Sequence, residues 1–75
     1  MEHLSRIAIV PDVRFGKPCV RGTRLLVGEI LGVLATGMTE AEVIAEFPQL
    51  THTDVLACFA FAAERERRLQ VIPAR

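Results

Sequence analysis

Between residues 26 and 63 the chain has no lysine or arginine, although that stretch makes up the middle half of the molecule. It carries Glu29, Glu40, Glu42, Glu46 and Asp54, so a phosphate backbone laid along it would meet only negative charge. Cysteine is also scarce: Cys19 and Cys58 lie far apart and match no metal or redox spacing, which leaves two free thiols and no disulfide framework. No apolar run reaches the length of a membrane span, and the first residues lack the uncharged apolar stretch of a signal peptide. A cytoplasmic location without membrane contact is therefore expected. The Walker spacing is absent around Gly16 and Gly22, which read as two turns. His3 and His52 have no third ligand at usable spacing, so no metal is expected. No acid–base or nucleophile–base pair can be assembled, and 75 residues leave no room for an ordinary cleft. We expect no enzyme activity, no cofactor and no small-molecule substrate.

What is present is apolar. Hydrophobic residues are 51% of the chain. A single domain this small buries little surface per residue, so the surplus points to a partner, most simply a second copy. The cations gather at the ends: residues 1–25 sum to +3, residues 26–63 to −5 and residues 64–75 to +2.

Ile7–Val10 is a short β-branched run stopped by Pro11-Asp12 and predicts a strand. Phe15-Gly16-Lys17-Pro18 predicts a turn, and Arg24–Val27 a candidate second strand. Val27, Ile30, Leu31 and Leu34 repeat at helical period, which gives a first helix over Gly28–Thr36 with Gly37 as its stop. A second helix starts at Thr39 with Glu42 at capping-box spacing, buries Val43, Ile44 and Phe47, and ends at Pro48. A third starts near Thr51, with Asp54 as a variant of the same box. Its segment Val55–Ala63 is apolar on every side, so one side is expected in the core and the other against a partner. Val55, Leu56, Phe59 and Phe61 are the candidate interface residues there. The last two helices, separated by a Pro-Gln-Leu turn, have the outline of a helix-turn-helix. The expected organisation is one domain over residues 1–75: a β and loop segment (7–27), a helical region (28–68) and a tail (69–75).

The segment Gly16-Lys17-Pro18-Cys19-Val20-Arg21-Gly22-Thr23-Arg24, followed by Val27 and a helix ending in Gly37, resembles domain-of-unknown-function family 433. This is the VapB-like antitoxin group of small prokaryotic proteins. Pro11-Asp12, Phe47-Pro48 and the alanine- and aromatic-rich Thr51–Ala63 extend the likeness over residues 7–63. Pro11-Asp12 reverses the family's commoner order, and Leu26 stands where the family often has Pro or Thr. The resemblance implies a mainly α, homeodomain-like helix-turn-helix of three helices with a short N-terminal β segment, usually a homodimer. It further implies the antitoxin of a type II toxin–antitoxin pair that binds a PIN-like ribonuclease toxin. Repression of its own operon would make it DNA-binding. The alternative is a homodimeric interaction module without nucleic acid.

The DNA-binding candidates are Arg14, Lys17, Arg21 and Arg24 in the basic loop and Thr51, His52 and Thr53 at the start of the third helix. Their structural alternatives are local: the arginines satisfy carbonyls or pair with Glu29, Glu40 or Asp12, and Thr51–Asp54 only caps a helix. No Arg, Lys, Asn or Gln is present there for bidentate base contacts. Residues 64–75 are either a tail or an arm that orders on a toxin, with Leu69, Val71 and Ile72 as anchors and Arg65, Arg67 or Arg68 reaching toward acidic groups.

Overall fold

The computed structural model describes residues 2–68. In chain order they form a 3-10 helix (Glu2–Arg6), strand β1 (Ile7–Ala8), a one-turn 3-10 segment (Arg14–Gly16), strand β2 (Cys19–Val20) and helices α1 (Val27–Ala35), α2 (Glu40–Glu46) and α3 (His52–Arg68). The strands are antiparallel, with Ile7 opposite Val20 and Ala8 opposite Cys19.

The strand pairing differs from expectation. β1 ends at Ala8, and Ile9 and Val10 stand exposed beyond it. Its partner is Cys19–Val20, not Arg24–Val27. The latter contributes one isolated bridge, Leu26 to Cys19, because α1 begins at once at Val27. Between them the chain doubles back through Gly22 at φ +83, a left-handed value that costs glycine little. The Val20 carbonyl accepts from both the Thr23 amide (3.0 Å) and the Thr23 hydroxyl (2.8 Å), which closes that turn.

The helices follow their apolar periods. Val27 and Ile30 are buried, with Leu31 and Leu34 packed at the margin. At α2 the capping box forms in full. The Glu42 amide donates to Thr39 Oγ1 (3.1 Å), and the Thr39 amide donates to Glu42 Oε1 (2.9 Å). Val43 is buried, with Ile44 and Phe47 half-buried against the core.

In α3, Val55, Ala57, Cys58 and Ala60 are buried. Val55 is 0% exposed, so it is a core residue and not part of an interface. Helices α1 and α2 are not the sole cover of α3. The 3-10 helix Glu2–Arg6 lies along α3 together with β1, and α1 and α2 also touch it. Alanines on α3 let these elements approach closely, so cover that was expected from a partner comes partly from the chain's own first residues.

Candidate interaction surface

The basic loop is held together from within. The Arg14 guanidinium donates to the Arg24 carbonyl at 2.8 Å and meets the Glu29 carboxylate at 3.1 and 3.3 Å. Glu29 also accepts from the Leu26 amide at 3.0 Å, capping α1. That amide bond first, and Arg14 second, pull the Glu29 carboxyl below its ordinary pKa. Arg21 donates to the Ser5 carbonyl (2.8 Å) and the Ile7 carbonyl (3.4 Å), tying the loop to the first turn of the chain. Two of the four loop cations thus serve local structure. Lys17 and Arg24 are exposed and make no side-chain hydrogen bond or ion pair among the described residues.

The loop also carries strain. Arg14 (φ +49), Phe15 (φ +61) and Gly16 (φ +74) are three successive left-handed residues, and only the last is glycine. Phe15 projects from that turn with 94% of its surface exposed. Ile9 is 59% exposed nearby in sequence. The sequence marked a turn here but not its hand, and nothing in residue type alone shows that Phe15 faces outward.

The first turn of α3 is a cap. The Asp54 amide donates to Thr51 Oγ1 (3.1 Å), and the Thr51 amide donates to Asp54 Oδ2 (3.0 Å). Asp54 is only 3% exposed, and its other oxygen receives Arg6 Nε at 2.5 Å. Burial alone would raise the Asp54 pKa, but the Arg6 and Thr51 hydrogen bonds outweigh it and the net shift is downward. His52 Nδ1 lies 2.5 Å from Glu40 Oε2 at the start of α2. Of the three α3 candidates for base contact, Thr53 alone is exposed with its side chain unengaged among the described residues.

The partner-facing candidates separate. Phe59 is 49% exposed, with Leu56 half-buried one turn before it and Ala63 exposed one turn after it, a narrow outward stripe. Phe61 points elsewhere, half-buried against the core and lining a groove of about 520 Å³ with Pro18, Leu26 and Leu31. Leu69, Val71 and Ile72 lie outside the described residues. The last described turn is fastened by Glu64, which pairs with Arg67 at 2.5 Å and Arg68 at 3.1 Å. Burial, helped by the Asp54 charge, pushes the Cys58 thiol up to about 11, so it stays protonated at neutral pH. Among the described residues no group of three His, Cys, Asp or Glu is placed to hold a metal ion, and no helix is long and apolar enough to cross a membrane.

Among known proteins, the chain is similar to a DUF433 member protein from Anabaena variabilis, whose crystal structure superposes with a TM-score of 0.78 at 27% identity. The match covers 84% of this chain and 62% of that one, so the chain spans less than two thirds of its neighbour's length. No curated protein matches. The family model described as "Protein of unknown function (DUF433)" matches residues 7–62, and the chain belongs to that family.

Proposed function

We propose that the chain is a non-enzymatic protein-interaction module of antitoxin type, built on a helix-turn-helix of α2 and α3. The observation that carries this reading is the division of labour among its polar and apolar side chains. The residues that would meet DNA are largely engaged inside the fold. Arg14 and Arg21 hold the loop, Thr51 caps α3, and His52 faces Glu40. Four large apolar side chains, Ile9, Val10, Phe15 and Phe59, are turned to solvent as well. Aromatic and aliphatic anchors of this kind suit protein partners better than phosphates. The likeness of residues 7–63 to the VapB-like antitoxin group supplies the partner class, a PIN-like ribonuclease.

Co-expression with the nuclease-like product of an adjacent gene tests this. A complex that co-elutes on size exclusion and suppresses RNA cleavage is the expected result. Two separate peaks with undiminished cleavage would reject the antitoxin role. A gel-shift titration on the chain's own promoter, alone and with that partner, decides the repressor role. A salt-sensitive shift in either preparation would restore DNA as a ligand, with Lys17, Arg24 and Thr53 as its contacts.

A further inference from the structure

Two of the three cations that the fold leaves without a hydrogen bond or ion pair among the described residues come together in one groove. Among the described residues Arg6, Arg14, Arg67 and Arg68 face carboxylates, and Arg21 faces carbonyls. Lys17, Arg24 and Arg65 remain. Lys17 and Arg65 come from opposite ends of the sequence yet line the same groove, whose walls are Pro18, Leu26, Leu31 and Phe61. A second groove of about 390 Å³ adjoins it, sharing Phe61 and Arg65 and adding Leu4 and Ile9. The two carboxylates on these walls are already engaged, Glu29 by Arg14 and, through space, by Lys17, and Glu64 by Arg67 and Arg68. Five cations of the grooves and their rim, Arg65 included, thus stand against two anions. The unbalanced charge of the surface is therefore positive over an apolar floor.

We infer that this groove is the docking site for an acidic amphipathic segment of a partner protein, apolar side chains toward Phe61 and carboxylates toward Lys17 and Arg65. The inference rests on the interaction-module reading and names the surface and partner chemistry for it. A second copy fits poorly. A two-fold interface sets a patch against itself, which would bring Arg65 and Lys17 against their own like charges. A nucleic acid fits poorly as well, because two cations over an apolar floor beside Glu29 offer few phosphate contacts.

The test is an amide-shift titration of the full ¹⁵N-labelled chain at low salt. The probe is a synthetic helical peptide with leucines at i, i+3, i+4 and i+7 and glutamates on its flanks. Saturable shifts at Lys17, Leu26, Leu31, Phe61 and Arg65 are expected. A lysine-flanked peptide, and separately the K17E/R65E variant, should each bind at least about tenfold more weakly. Four results would overturn the site: no saturable binding, shifts centred on Leu56 and Phe59, equal binding of the lysine-flanked peptide, or the same shifts on self-dilution without peptide. Duplex DNA or anionic vesicles moving these amides where the acidic peptide does not would overturn it too. If the variant retained full binding to the nuclease while losing the peptide, the antitoxin reading would stand and this surface would not be its contact. Both exchanged side chains are exposed, so the fold of the variant is expected to survive, and circular dichroism checks it.

Discussion

Phe15 combines two costs, a left-handed backbone and an uncovered aromatic ring. Left-handed φ costs a side-chain-bearing residue about 1–2 kcal/mol, and glycine would return about 0.5–1 kcal/mol of that as unfolded-chain entropy. Phe15→Gly is therefore expected to stabilise the fold by about 0.5 kcal/mol, read from urea unfolding, while weakening complex formation with the partner. A loss of stability instead would mean that the ring is packed and the strain is compensated locally. Asp54 has the opposite character, a buried carboxylate with every oxygen engaged. Its pKa is lowered in the folded chain, so its stabilising contribution is complete above the ordinary value of 3.8 and fades as pH falls through the lower folded value. Asp54→Ala removes both the α3 cap and the Arg6 bond and is expected to cost about 2 kcal/mol at pH 7. The gap between the variant and the native chain should narrow in acid. Thermal melts at pH 7 and pH 3 measure both effects, and a gap independent of pH would contradict the ionic role.

At the scale of elements, α3 has an inner side that the chain covers and an outer stripe of Leu56, Phe59 and Ala63 that it leaves open. If two copies associate, this stripe offers them apolar side chains and no charge of its own. Phe59→Glu is expected to shift the assembly from dimer to monomer in sedimentation at tens of micromolar with little change in melting temperature. A native chain that already sediments as a monomer would refute the dimer. Phe61 is a poorer probe, because it packs against the core and a charge there would disturb the fold itself. The three helices were legible from sequence because their signals are local: a 3.6-residue apolar period, a capping box at Thr39 and Glu42, a proline after Phe47. The 3-10 helix Glu2–Arg6 gave no such signal. Its residues have neither period nor cap, and its place is set by α3 and by Arg6 reaching Asp54, 48 positions later. The second strand lies at Cys19–Val20 and not at Arg24–Val27 for a related reason. Two-residue strands are chosen by what they pack on, and Cys19–Val20 wins over Leu25–Leu26 once helix α1 claims Val27. Of the site, the basic loop was visible as a cluster, but which of its cations are tied down depends on contacts such as Arg14 with Glu29 that composition does not encode.

The sequence has a negative middle and positive charge toward both ends, and among the described residues the 3-10 helix Glu2–Arg6 packs along α3. Lys17 and Arg65 line one groove and Arg6 meets Asp54, so cations far apart in the sequence are set beside residues distant from them along the chain. The long reach of these contacts also dictates an order of assembly. The 3-10 helix and β1 are the first described elements synthesised, yet α3, the element they cover, is the last. On the ribosome β1 can pair with β2 early, but the 3-10 helix and Ile7 lack the α3 surface they pack on until that helix has emerged. Closure over so many residues is the slow, entropically opposed step. A nascent copy is therefore expected to stay incompletely closed until α3 is made, with the 3-10 helix Glu2–Arg6 uncovered in that interval. If the chain works by engaging another protein, as proposed, binding and folding can become one event during that interval.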